Sequence, residues 1–464
     1  MPKLLDDRAM WDFIVDGYTV VHADLPREFH RQLHRDTEAA FEESRDTGNG
    51  IFAEIPALLD VFEQPNVRGA LTSILGSGYR FYSHRHCHRN APGSDGQGMH
   101  LDSYEADENN RHHRPRWAMA FYYPHDVDEG RGPTSVAPRG QYHTSSDTRR
   151  RPDDEVFFTG KAGSVCIVHY DSWHRATANA SALPRYMHKW LFIRTEEPTE
   201  PSWDHSAGFA PERREATDLH SRTHGDMWRN VWDWYSGVSG DSASDGEPDA
   251  LCGSLSDESE TVRLNAAYAL GRVGARAVEP LIDAFRDEAE GRLEANLAAS
   301  MTNPSHLYSG YALSAVGGPA VEALVDELGS DAWSVRAAAA NILGDIGVAA
   351  EGSAPALAAL LDDDEAWVRR NAVEALGHLG HASEESAPSV AGPPTDDVEW
   401  VRRNAEVALT RIGPGAAAAV PDLVSALDDD AYYVRANAAH ALDAIGDASA
   451  REALATYRAS GSDY

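Results

Sequence analysis

The dipeptide Val-Arg returns at Val335-Arg336, Val368-Arg369, Val401-Arg402 and Val434-Arg435, 33 residues apart each time, with an earlier copy at Val262-Arg263. Each opens an Ala-rich stretch that closes on leucine: Leu270-Gly271, Leu343-Gly344, Leu376-Gly377, then Leu409 and Leu442 in register. Tyr311–Gly317 is a degenerate copy centred on Leu313, after an insertion near Met301–Ser309. A unit this short holds two helices and cannot bury its apolar face alone, so it must stack on its neighbours. The period therefore predicts an all-α solenoid of six repeats over residues 250–464. The five arginines share one phase, where each can meet an acid of the adjoining unit. Trp333, Trp367, Trp400 and Tyr433 precede the Val-Arg pairs and are expected to pack between repeats.

The phrase Asp-Asp-x-x-x-Val-Arg-x-x-Ala resembles the HEAT-like repeats of the phycobilin-lyase type. That resemblance implies a long concave surface, for which protein binding is the default expectation.

The first half follows other rules. Trp11–His22 reads as an apolar helix end, a glycine and a β-branched strand. Leu25–Glu43 and Phe52–Ile74 have helical spacing, and Tyr79–His88 alternates as a strand does. Trp117–Tyr123, Gly163–His169 and Tyr186–Arg194 are apolar runs of strand length. Strands after helices, without regular βαβ alternation, predict an antiparallel sandwich or barrel with flanking helices. Trp228 and Trp232 stand one helical turn apart and should pack on that barrel. Residues 236–249 are rich in Gly, Ser and Asp and read as a linker, which divides the chain into 1–235, 236–249 and 250–464.

Chemistry concentrates at Met99–Tyr104. His-x-Asp recurs along the chain, at His22/Asp24, His34/Asp36, His100/Asp102 and His169/Asp171 among others. With 21 histidines and 74 acids, chance copies are expected, so context decides. His34 and Asp36 lie on a helix, where residues two apart diverge. Asp24 precedes a helix start and suits a cap better than a metal. His169 and Asp171 are too near His174 to leave an open cavity between segments. His100/Asp102 follows the glycine loop Ala91–Gly98, and on a strand the two side chains would leave one face. With His174 as a distant third ligand, they form the 2-His-1-carboxylate set of non-haem Fe(II) sites, which leaves coordination positions open.

The run His174–Arg185 resembles the phytanoyl-CoA dioxygenase family, a branch of the Fe(II)/2-oxoglutarate oxygenases, as does Gly130–His143 and the opening Asp16-Gly-Tyr-Thr-Val-Val. The likeness covers roughly residues 8–200. Gln141-Tyr142 interrupts one motif and Ser103 follows Asp102, but neither departure touches a proposed ligand. The resemblance implies a double-stranded β-helix of the jelly-roll, cupin-like kind, with Fe(II) on His100, Asp102 and His174. It implies that Arg185 grips the far carboxylate of 2-oxoglutarate, as a planar guanidinium can and lysine cannot match. Trp117 resembles an aromatic that lines the cosubstrate pocket, with a core tryptophan as the equal alternative. Related halogenases replace the carboxylate by a small residue, so Asp102 favours hydroxylation. His84, His86, His88, His112, His113 and His125 crowd the same region, where some could line a substrate cavity, and Arg89 could meet an acidic substrate.

Charge bounds the partners. Formal charge is -33, and from Asp245 onward 37 acids face 14 arginines, a net of -23 against -10 before it. Such a surface repels polyphosphate and disfavours nucleic acid. Of 41 basic residues only Lys3, Lys161 and Lys189 are lysine, a bias that fits either a salt-rich cytoplasm or GC-rich codon usage. No run of eighteen apolar residues, no signal-peptide pattern and three scattered cysteines point to a cytoplasmic protein. The expectation is a hydroxylase acting on a small molecule, with the repeats as a possible protein-binding module. The alternative is a scaffold whose solenoid binds partners while the oxygenase-like half is inactive.

Overall fold

The computed structural model describes residues 1–464 except 45–47, 103–112, 144–154, 212–218, 220–222, 239–245, 297–305, 393–395 and 460–464. Most of the proposed linker, His112, Ser103 and much of the 301–309 insertion therefore lie outside the described residues.

The first half runs α1 (Asp7–Asp16), β1 (Tyr18–His22), α2 (Arg27–Ser44), α3 (Ile51–Glu54), α4 (Leu59–Phe62), α5 (Pro65–Leu75), β2 (Arg80–Asn90), β3 (Trp117–Tyr122), β4 (Thr134–Val136), β5 (Val156–Phe157), β6 (Ser164–His169), β7 (His174–Ala176), β8 (Arg185–Ile193) and α6 (Gly225–Tyr235). Asp6 caps α1 by accepting from Ala9 N, and Gly17 ends it in the left-handed region at φ 81°, turning the chain into β1. The strands form two antiparallel sheets in the orders β1-β6-β3-β8-β2 and β5-β4-β7. They make the expected jelly roll.

Period-two alternation sorts the large sheet between two cores. Ala118, Ala120, Tyr122, Ile167, Trp190 and Phe192 pack outward against the helices. Trp117, Met119, Phe121, Cys166, Val168, Leu191 and Ile193 point inward, with Val136 and Phe158 of the other layer. Both faces of β3, β6 and β8 are thus covered, which is why those strands read as unbroken apolar runs. Trp228 and Trp232 are buried as expected. Trp232 stands edge-on to Trp11 of α1, with ring centroids 5.9 Å apart.

After α7 (Pro248–Gly253) come six helix pairs among the described residues. They are α8 (Glu260–Val273) with α9 (Val278–Asn296), α10 (Tyr308–Val316) with α11 (Val321–Glu327), α12 (Trp333–Ile346) with α13 (Ala354–Ala359), α14 (Ala366–Leu379) with α15 (Ala387–Ala391), α16 (Glu399–Ile412) with α17 (Val420–Ala426) and α18 (Tyr432–Ile445) with α19 (Ala448–Ala459). The first helices of successive pairs stack on one another. The glycine of the Leu-Gly signature permits this: a Cβ on Gly344 would lie 2.7 Å from Ala375 Cα, and one on Gly377 2.8 Å from Ala408 Cα. The repeated arginines lock the stack. Arg336 grips Asp363, Arg369 grips Asp396 and Arg402 grips Asp429, each through two hydrogen bonds to the acid 27 residues on. Trp367 and Trp400 stack at 4.3 Å.

The inner helices of the array hold the first half of the chain. His113 is sandwiched there, hydrogen-bonded to Tyr268 Oη at 2.7 Å with its ring 4.0 Å from that of Tyr311. Arg116, 1% exposed, is gripped by Glu197 (2.6 Å) and by Asp345 of α12 (2.7 Å). Further along, Val407 joins the inward barrel core, and Tyr433 Oη meets His84 Nδ1 at 2.9 Å. Tyr433 thus packs against the barrel, where the sequence suggested a place between repeats. At the end of the row Arg80 of β2 pairs with Asp443 at 2.6 Å. Among the described residues no helix is long and apolar enough to cross a membrane.

Candidate metal centre

His100 and His174 are neighbours because their backbones pair. His100 N donates to His174 O and His174 N donates to His100 O, both at 2.9 Å. The glycine loop makes that approach possible: Gly96, at φ 80°, runs so close to β7 that a Cβ would fall 2.5 Å from Ala176 O. Two residues beyond His100, the buried Asp102 turns its carboxylate into the same space. Asp102 Oδ1 lies 3.8 Å from His100 Nε2 and 3.5 Å from His174 Nε2. The three ligand atoms fall within 4.8 Å of one another, the single such cluster among the described residues.

The tautomers follow from the hydrogen bonds. His100 Nδ1 donates to Gly98 O at 2.9 Å, and His174 Nδ1 donates to Ser172 O at 3.0 Å. With each Nδ1 proton committed to a carbonyl two residues back, each Nε2 carries a lone pair toward Asp102. Burial holds the His174 imidazole below its usual range, so it stays neutral and able to ligate. Burial pushes Asp102 the other way, but His174, Lys189 and His100 outweigh it and hold the carboxyl well below the usual range. Two imidazoles and one carboxylate converge on one point, the donor set that suits a divalent transition metal.

Lys189 is the residue that sequence reasoning missed. It leaves the inner face of β8, and its Nζ sits 2.6 Å from Asp102 Oδ2, with both side chains buried. The lysine ties up one carboxylate oxygen and leaves Oδ1 turned to the histidines. Rarity was the available signal: Lys189 is one of three lysines, placed two strand periods from Arg185 and so on its face.

Arg185 also points inward and is 1% exposed. Its Nε donates to Gly132 O at 3.0 Å and its Nη1 to His88 O at 3.5 Å. It lies four residues along β8 from Lys189, about 13 Å at strand rise. Trp117 stands at another level of the barrel. It pairs with Ile193, whereas Arg185 pairs with Asn90, so eight residues of β8, roughly 26 Å, separate the two levels. One cosubstrate cannot be lined by Trp117 and clamped by Arg185. Trp117 stands edge-on to Tyr82 at 4.9 Å, in the inward core that Val407 of the array joins.

The other histidines divide. His84, His86 and His88 line, with Lys189, a cavity of about 950 Å³ at the edge of the large sheet. Burial pushes His84 down to about 4 and His88 well below its usual range, so both are neutral. Arg89 lies exposed on the rim of that cavity. His125 and His113 are elsewhere: His125 Nε2 accepts from Tyr186 N, and His113 belongs to the seam with the array.

Family models match the second half. HEAT repeats match residues 321–410 and 395–464, and the PBS lyase HEAT-like repeat matches residues 262–287. The second half is a HEAT-repeat solenoid. For the first half, similar solved structures include the non-heme alpha ketoglutarate dependent carbocyclase SnoK from nogalamycin biosynthesis, 18% identical over 42% of this chain and 88% of that one, with a TM-score of 0.36. The non-heme monooxygenase ThoJ, as its Ni complex, is 16% identical over 46% of this chain and 91% of its own, at 0.34. EctD from S. alaskensis with bound Fe is 14% identical over 41% and 77%, at 0.36. No curated protein matches the sequence.

Proposed function

We propose that the chain is an Fe(II)- and 2-oxoglutarate-dependent hydroxylase. The observation that carries this reading is the convergence of His100 Nε2, His174 Nε2 and Asp102 Oδ1, with both Nδ1 protons committed elsewhere. These three side chains would hold the iron on one face. Iron and 2-oxoglutarate together supply oxygen activation, in which O₂ and the oxo acid give succinate, CO₂ and one hydroxylated C–H bond. The protein's own residues bind and orient. Arg185, buried on the inner face of β8 with its guanidinium edge toward backbone carbonyls, is the group suited to the distal carboxylate. Lys189 fixes Asp102. The neutral imidazoles of His84 and His88 present donors and acceptors to a substrate in the adjoining cavity, whose size suits a small molecule. The division at 235 and 250, and a cytoplasmic setting, belong to the same proposal.

The experiment is metal titration followed by detection of succinate. Wild-type protein should bind one Mn(II) and, with Fe(II) and a substrate panel, convert 2-oxoglutarate to succinate. His100→Ala and His174→Ala should each lose Mn(II) binding and turnover; retained turnover in both would remove the triad.

A scaffold role has one observation on its side, the HEAT array itself. Its inner helices are engaged by this chain's own first half, so a protein partner would use the outer row α9 to α19. Capture of a partner by full-length protein with substitutions confined to that row tests this second reading.

A further inference from the structure

Arg85 carries a charge that no described residue meets and that borders open space. It projects from the helix-covered face of β2 and is 7% exposed. Its guanidinium makes no hydrogen bond or ion pair with a described residue, and Nε is buried without a partner. Its one neighbour of note is the Phe52 ring, 5.2 Å from Cζ. Arginine cannot shed its proton at physiological pH. Burying such a charge unpaired costs far more than a cation–π contact returns.

The guanidinium does not face packed protein. It borders a cavity of about 650 Å³ at the seam where α3 to α5 and β2 meet the last repeat. Four arginines, at positions 68, 80, 85 and 458, line it against two carboxylates, Glu63 and Asp443. Arg80 is tied to Asp443 at 2.6 Å and Arg68 to Glu63 at 2.8 Å, which leaves Arg85 unmatched. His440 reports the field from the array side. Burial first, then Arg85 and Arg80, push its imidazole down to about 4. A positive cavity in a chain of net charge -33 is set against the charge of everything around it.

We propose that this cavity binds a small oxyanion-bearing ligand, a phosphate or carboxylate compound, through the Arg85 guanidinium. The fork of donors matches such a head group in two parallel hydrogen bonds. The ligand would touch β2 and α5 on one side and α18 and α19 on the other, pinning the last repeat to the barrel. The site is separate from the His100–Asp102–His174 cluster and does not depend on the oxygenase reading.

The test uses metal-free full-length protein at constant ionic strength. Inorganic phosphate, pyrophosphate, AMP and citrate are each titrated by calorimetry and by the rise in Tm, which follows ligand occupancy. At least one should bind saturably with Kd below about 1 mM. Arg85→Met and Arg85→Gln should weaken it by about tenfold or more, and Arg85→Lys by less. All three should unfold in a cooperative transition within a few degrees of the ligand-free wild-type Tm, which shows that they are folded. Binding of the phosphates without citrate assigns a phosphate ligand, and the reverse assigns a carboxylate. Either an absence of saturable binding by all four probes in wild type or unchanged binding in both neutral variants would overturn the proposal.

Discussion

Lys189 Nζ lies 2.6 Å from Asp102 Oδ2, with each side chain 4% exposed. A buried cation paired to the single carboxylate of the candidate centre does two things. It stabilises Asp102 before any metal arrives, and it adds one positive charge once a metal is bound. Lys189→Met should therefore tighten Mn(II) and loosen 2-oxoglutarate on the loaded protein, each by about a hundredfold, as expected for unit charges about 6 Å apart at an effective dielectric of ~20. Lys189→Arg should restore both toward wild type. Calorimetry on the three proteins checks this, and unchanged affinities would reduce the lysine to a packing role.

Arg185 is expected to act on the cosubstrate alone. Arg185→Ala should raise the 2-oxoglutarate KM by about a hundredfold, the loss of one buried charge-assisted pair of hydrogen bonds, and leave Mn(II) affinity within about twofold. Arg185→Lys should recover little, because a lysine lacks the planar fork. Steady-state succinate formation measures both; an unchanged KM would assign the clamp elsewhere.

The array and the barrel should unfold together. Their buried residues form one continuous cluster, and Arg116 is held by Glu197 from its own half and Asp345 from the other. A single calorimetric transition is expected, and two resolved transitions would contradict the shared core. Asp345→Ala removes one of two anions from a fully buried arginine and should cost about 3 kcal/mol by urea denaturation.

Stability should fall on mild acidification. Burial pushes His113 down to about 3 from 6.5, and His169 and His188 likewise to about 3. A histidine with a depressed folded pKa binds its proton more readily when unfolded. Its contribution is complete above about 6.5 and is lost progressively as pH falls toward 3. His113→Phe should flatten that acid slope by up to about 1.4 kcal/mol per pH unit. Urea midpoints from pH 7 to pH 4 give the slope, and an unaltered one would place the titration elsewhere.

Much of this molecule was legible in the sequence because its regularities are local. A 33-residue period implies stacked helix pairs whatever they stack against, and Arg336, Arg369 and Arg402 met the acids that their phase suggested. His100 and Asp102 stood out from other His-x-Asp pairs through the loop before them, and the structure brings His174 to them.

What sequence could not supply depends on which distant elements cross. Trp117 and Arg185 both lie on inward strand positions, and only the register of β3 and β2 against β8 puts them at different levels of the barrel. Lys189 is an ordinary strand residue until β8 passes under Asp102. The inner face of the solenoid reads as a surface awaiting a partner until the chain folds back and fills it. Periodicity along a chain determines which face of an element is apolar. Only the packing of whole elements decides what that face meets, and so which buried charges find a counter-charge and which, like Arg85, do not.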